Sequence, residues 1–166
     1  PSIDAASELM LRHKLSYQEI ASVEIRTFYN ATRLAGHKPV SADEFAYSIA
    51  FPVACMIVRG QVGISELEVS TLKDPDILRI SAATTLIEDA HLTQISKGKR
   101  WAQVSILMRN GTRYEAAPGT PRGDTDLPLS DVEISEKFHN FSDHILGSSI
   151  AKKIEEFATS FDKLNA

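Results

Sequence analysis

Few side chains in this 166-residue sequence combine the type and the spacing that chemistry demands. The histidines are His13, His37, His91, His139 and His144, and none of them stand at a metal-ligand spacing from one another. Cys55 is the single cysteine, so neither a second thiolate nor an internal disulfide is available. No metal site is expected. His139 and His144 share one helical pattern but lie on different faces of it, which assigns them surface or packing roles. No G-x-S-x-G elbow, phosphate-binding glycine loop or zinc-protease signature occurs. Cys55 and Met56, inside an apolar run, read as core residues.

Two polar stretches remain. In "SKGKRW", Ser96 to Trp101, three cations stand beside the only tryptophan. They meet either a polycarboxylate or bulk water, and charge runs usually face water, so a solvated loop with an anchoring ring is the favoured reading. The tripeptide Arg122, Gly123, Asp124 invites an adhesion reading, yet Gly123 and Asp124 also suit a turn, which is preferred. The charge balance, 18 Lys and Arg against 22 Asp and Glu, gives no reason to expect nucleic acid or an anionic membrane. With 43% apolar residues the chain can bury a real core, as one domain or as part of a larger enzyme. Its longest apolar run, around Ile49 to Val58, is too short to cross a bilayer, so the expected compartment is the cytoplasm. The chain begins at Pro1, without methionine or signal peptide, and enters a helical pattern at once. A fragment of something longer is expected.

The elements that must position these residues follow from caps and periodicity. Ser2 is expected to cap a helix reaching about Lys14, with Ile3, Ala6, Met10 and His13 along one side. Ser16 and Glu19 have capping-pair spacing before a strand in which Ile20, Val23 and Ile25 point to a core, although the alternation is imperfect. "SADE", Ser41 to Glu44, is a capping box before "FAYSIAFPVACMIVRG", a helix apolar all round that Gly60 can end. Pro52 within it predicts a kink or break beside Phe51. Ser65 and Glu68 repeat the box spacing, and Asp74 caps a further helix with Pro75 at its first position. "TLIEDAHL" holds a short strand. "AQVSILMRNGTRYEAAP" reads as a hairpin with Asn110 and Gly111 as a two-residue turn and Val104, Ile106 and Met108 on one face. Ser130 and Glu133 form another box, opening a helix with the stripe Ile134, Phe138, Phe141 and Ile145 until Gly147. A second amphipathic helix carries Ile150, Ile154, Phe157, Phe161 and Leu164.

The sum is an α+β fold: a small mixed layer of β-hairpin, strands and helices over residues 1–129, then a helical hairpin over 130–166 whose apolar stripes need a partner surface. Several separated stretches also resemble one family, the MmgE/PrpD group, which includes 2-methylcitrate dehydratase, cis-aconitate decarboxylase and iminodisuccinate epimerase. "PSIDAA" resembles the helix opening after the family's histidine-containing loop, and "AYSIAFPVA" its A-x-F-S-L-P-Y-x-V-A helix. "LKDPDI" resembles the L-x-D-P-x-V turn, and "PRGDTDLPLSDVEISEKF" the R-G-x-P-x-N-P-L-S loop with its following K-F helix. The likeness covers nearly the whole chain.

The resemblance implies a smaller, lid-type α+β domain whose last helices finish a large helical domain, in a homodimeric enzyme. It implies that this chain lacks the amino-terminal domain holding most of the catalytic acid and base residues. The implied chemistry is cofactor-free: a proton is removed next to a carboxylate of a small polycarboxylate, followed by loss of water, loss of carbon dioxide or reprotonation on the other face. A dehydratase-like lyase leads this reading; an epimerase or decarboxylase, or a non-catalytic binding or dimerisation module, is the alternative. Carried over by position, Phe51 falls where many members place a cleft-facing tyrosine, and Ser48 matches the serine of the same helix. A core phenylalanine and a hydroxyl bonded back to the preceding turn are the plainer readings of these two. Arg122 and Gly123 match the loop motif, while Thr125 and Leu127 replace its Pro and Asn, and Pro52 is unusual at its place.

Overall fold

The computed structural model describes residues 1–34 and 36–161. In chain order the elements are α1 (Ser2–His13), β1 (Ile20–Thr27), α2 (Tyr29–Thr32), α3 (Ala42–Ala46), α4 (Ala50–Arg59), α5 (Val69–Leu72), α6 (Pro75–Ala82), β2 (Thr84–Glu88), α7 (Ala90–Ile95), β3 (Ala102–Met108), β4 (Arg113–Glu115), α8 (Asp131–Leu146) and α9 (Ser148–Thr159). They fall into two compact units, Pro1–Asp124 and a second that begins at Thr125. The fold is α+β, as the sequence implies.

In the first unit β1 is central. The strand order is β2-β1-β3-β4, with β2 parallel to β1 and the other pairs antiparallel. Val23 lies opposite Ile106 and Ile25 opposite Val104, so one face of the sheet is hydrocarbon. The register shifts between Ile20 and Ser22, and this irregularity resolves the imperfect alternation: one additional residue lets Ile20 and Val23 both face the core. On the opposite face Glu24 receives Arg26 at 2.9 Å and Arg113 at 3.0 Å. Leu9 of α1, Phe51, Val53 and Ile57 of α4, and Ile77 and Ile80 of α6 join the strand residues in one buried cluster.

Several local expectations change in the structure. Pro1, not Ser2, holds the N-cap place of α1, and Ser2 is buried in the first turn. The buried face is Ser2, Ala5, Ala6 and Leu9, with Ile3 and Met10 at its margins. His13 leaves the stripe, is exposed, and sets its ring 4.5 Å from that of Tyr114. Ser16 and Glu19 make no capping pair; Ser16 Oγ donates to Gln18 Oε1 beside a single 3-10 turn. Ser41 caps α3 by accepting from Glu44 N at 3.2 Å, while Glu44 Oε2 reaches back to Val40 N.

The long apolar helix is two helices. The chain leaves helical geometry at Tyr47–Ile49 and restarts at Ala50, so the break lies ahead of Phe51 and Pro52 falls in the first turn of α4. A first-turn N–H has no intrahelical acceptor, so proline there forfeits no bond and escapes the clash with Ser48 O. Seven of the ten α4 residues are buried, as an all-apolar helix requires. Gly60, at φ 74°, ends it.

Ser65 and Glu68 do not pair either. Glu66 takes over: its Oε2 accepts from Gly63 N at 2.8 Å, and Gln61 Nε2 and Ser65 Oγ also donate to the carboxylate. Asp74 caps α6 as expected, accepting from Asp76 N at 3.0 Å, with Pro75 at the first position. Burial raises the Asp74 carboxyl, but the Arg59 guanidinium and the α6 N–H groups outweigh it and hold it below its ordinary value. The stretch "TTLIE", Thr84–Glu88, is the expected short strand, β2. The hairpin turn is longer than two residues: Gly111 N donates to Met108 O and Met108 N to Thr112 O, a three-residue loop with Gly111 at φ 87°.

The second unit is the expected pair of helices. Ser130 and Glu133 make both bonds of the capping box, and Gly147, at φ 78°, separates α8 from α9. Leu164 lies outside the described residues. Ile134, Phe141, Ile145, Ile150, Ile154 and Phe157 are exposed, so the stripes are uncovered among the described residues. What joins the two helices includes His139, whose Nδ1 lies 2.7 Å from Asp143 and Nε2 3.0 Å from Glu155. These carboxylates raise the imidazole above its ordinary value, while His139 and neighbouring hydroxyls lower both carboxyls.

Because His139 is raised, its contribution is full below about pH 6.5 and disappears as pH climbs through the higher folded value. The lowered carboxyls act oppositely, contributing above about pH 4 and failing as pH falls through their depressed values. The His139 imidazole NMR signal is therefore expected to titrate above about pH 6.5 and to move back toward it in Asp143→Asn. An unshifted titration in the unmodified chain would break this assignment.

Candidate functional site

At the C-terminal end of β1 the first unit opens into a cavity of about 440 Å³. Pro1, Ser2 and Ile3 supply one wall, and Phe28, Ala31 and Leu34 another. Phe45, Ser48, Ile49 and Val53, from the α3–α4 region, supply a third, with Arg100 on the rim. The break before Pro52 has a use here, because it presents Ser48 and Ile49 to the cavity. Ile49 N donates to Leu34 O at 2.9 Å, which holds the break against the α2 side. Gly36, at φ 52°, presses on the same serine so closely that a β-carbon there would fall 2.0 Å from Ser48 Cβ. Arg100 is placed from β1 itself: Thr27 Oγ1 donates to Trp101 O at 2.8 Å, and Thr27 pairs with Ala102.

The polar side chains of this cavity are Ser2, Thr27, Asn30, Ser48 and Arg100. Ser48 is 8% exposed, and its Oγ has no hydrogen-bond partner among the described residues, so it is not bonded back to the preceding turn. A buried hydroxyl without a partner is unusual and marks a place where another acceptor or donor belongs. Arg100 is exposed and forms no ion pair among the described residues. The lining contains no Asp, Glu, His, Lys, Tyr or Cys. A guanidinium and a hydroxyl can hold a carboxylate or developing negative charge, but neither takes a proton from carbon near neutral pH.

The structure brings together only some of the residues singled out by sequence. Ser48 lines the cavity. Phe51 does not: it is 0% exposed and packs edge to face on Phe45, ring centroids 5.6 Å apart. Arg122 and Gly123 lie in an exposed turn, Gly123 at φ 91°, where Arg122 N donates to Asp4 Oδ2 at 3.4 Å. Neither lines the cavity. Cys55 is fully buried, its thiol pushed up to about 12 by burial and then by the Glu66 charge, an unreactive state. His37 is held by Ser81, Nδ1 at 2.7 Å from Ser81 O, with Ser81 Oγ donating to His37 O. Arg100 is the residue that the sequence reading left in a solvated run. Its only signal was its place in "SKGKRW", since the hydrogen bond that aims it comes from Thr27.

Among the described residues no group of three or more His, Cys, Asp or Glu is placed to hold a metal ion. No helix among them is long and apolar enough to cross a membrane. The class defined by this fold and site is an α+β domain with a mixed four-stranded sheet, covered on one face by helices and opening into an apolar cavity at the end of its central strand. The MmgE/PrpD C-terminal domain family matches residues 1–163, and the chain belongs to that family. No curated protein matches it.

Proposed function

We propose that this chain is the carboxy-terminal domain of a cofactor-independent MmgE/PrpD-type enzyme that removes a proton next to a carboxylate of a small polycarboxylate, most simply a 2-methylcitrate dehydratase-like lyase. The observation that carries the reading is the cavity that joins the exposed guanidinium of Arg100 to the buried Ser48 hydroxyl, neither of which has a side-chain partner among the described residues. Proton loss from carbon leaves negative charge on the adjacent carboxylate oxygens. A fixed cation and an O–H donor in an apolar setting stabilise that charge; departure of hydroxide from the neighbouring carbon, with a proton, then completes a dehydration. The base belongs to another part of the complete protein, because none of the cavity-lining side chains can serve. The division at 129/130, homodimeric assembly and a cytoplasmic setting belong to the same proposal.

The test follows proton-to-deuterium exchange by NMR across a panel of polycarboxylates, for the 166-residue chain and for the parent protein that restores the helical domain. The chain alone is expected to be silent, and the parent to exchange or dehydrate one acid. Arg100→Gln in the parent is expected to lower kcat/KM about 100-fold, the effect of deleting one stabiliser of developing charge. Turnover by the isolated chain would overturn the division of labour. A second reading, a non-catalytic binding module, is favoured by the same lack of a proton-transfer group, and a silent parent would select it.

A further inference from the structure

The acid that occupies this cavity is described more closely by its walls. Ile3, Leu34, Phe45, Ile49, Val53 and Val62 present hydrocarbon, and the volume of about 440 Å³ lies within the range of small-molecule sites. Against them stands one guanidinium, at the rim; the Pro1 amine that also borders the cavity is engaged by Asp4 at 3.5 Å. A compact dicarboxylate or tricarboxylate seated wholly inside would leave at least one charge without a counter-ion or water, which apolar walls do not permit. We infer that the ligand is an organic acid with an aliphatic branch longer than a methyl group: the branch fills the cavity, one carboxylate meets Arg100 at the rim, and a further oxygen accepts from Ser48 Oγ–H. This narrows the function proposed above: the carbon-acid chemistry of a 2-methylcitrate dehydratase-like lyase is kept, but on an acid whose branch is longer than the methyl of 2-methylcitrate. It rests on that proposal only for the acid's being a substrate.

The 166-residue chain is titrated, with chemical shifts or heat as readout, with the straight-chain acids from acetate to octanoate, with hexanol, with levulinate, which adds an internal ketone, and with tricarballylate, which has three carboxylates and no tail. Affinity is expected to rise about fourfold for each added methylene until the cavity is full. Hexanol is expected to bind about tenfold more weakly than hexanoate, a difference that Arg100→Gln removes. Ser48→Ala, which deletes a hydroxyl that has no partner, leaves the fold intact and weakens levulinate but not hexanoate. A flat chain-length series, equal binding of hexanol and hexanoate by the unmodified chain, or no saturable binding of any acid would overturn the inference. Preference for tricarballylate over hexanoate would overturn it too, while leaving the carbon-acid proposal standing. A parent that exchanges no acid, although the chain binds hexanoate, fails the carbon-acid proposal alone.

Discussion

Replacing Phe51 with alanine is expected to lower the free energy of unfolding by about 3–5 kcal/mol, measured by urea denaturation. The ring is fully enclosed, with Phe45 edge-on to it and α4 buried on most sides. A deletion there leaves a void that the rigid first turn, pinned by Pro52, cannot collapse into. Phe51→Tyr sharpens the point. A phenol oxygen here would enter hydrocarbon, at a cost of about 1–3 kcal/mol if no partner is found. A loss under about 1 kcal/mol for alanine would show that the ring is not enclosed and would return it to the cavity wall.

Glu66→Ala comes second, at about 2–4 kcal/mol. The side chain is 1% exposed, and three neighbours within six residues, Gln61, Gly63 and Ser65, direct their donors onto it. Burial raises its carboxyl, yet these donors more than offset that, so the group ionises below its ordinary value. A lowered carboxyl contributes stability at pH values above its unfolded pKa, near 4.3, and loses it as pH falls through the folded value. The unmodified chain should therefore lose stability on acidification more steeply than Glu66→Gln, which keeps an acceptor but cannot titrate. Parallel acid profiles for the two would disprove the staple. The connection between α4 and α6 depends on it, because Gly63 N would otherwise be an orphan donor.

Features specified by a few adjacent residues were legible in the sequence. Ser130 with Glu133, and Asp74 with Pro75, need only their own turn to be satisfied, and both appear as expected. Where two local solutions compete, spacing alone does not decide. Glu66 outbids Glu68 because Gly63 N lies within its reach, and Asn110-Gly111 takes the three-residue loop rather than the tighter turn. Faces were harder to read. Ile3, Ala6, Met10 and His13 looked like one side of α1; Ala6 is buried, but Ala5 and Leu9 join it, while Ile3 and Met10 stay at the margin and His13 is exposed, because the small Ala5 and Ala6 permit close approach. Of the site, Ser48 was legible through its resemblance. Arg100 was not, because a distant threonine on β1 aims it, and no window of sequence contains both.

The walls of the cavity are drawn from Pro1 to Arg100, almost the whole span of the first unit. Such a site has no partial form. β1 must wait for β3, some eighty residues later in the chain, before Thr27 can tether Trp101, and such long-range pairings are the slow events of folding. A chain still emerging from the ribosome therefore has a hydrophobic core in progress but no finished cavity to hold a ligand. Once closed, the site gives the ligand a say in folding: whatever binds only the finished cavity draws the population toward it by mass action, about 2.7 kcal/mol at a hundredfold excess over Kd. Supply of any ligand that fits the finished cavity would thereby become a determinant of how long the protein survives.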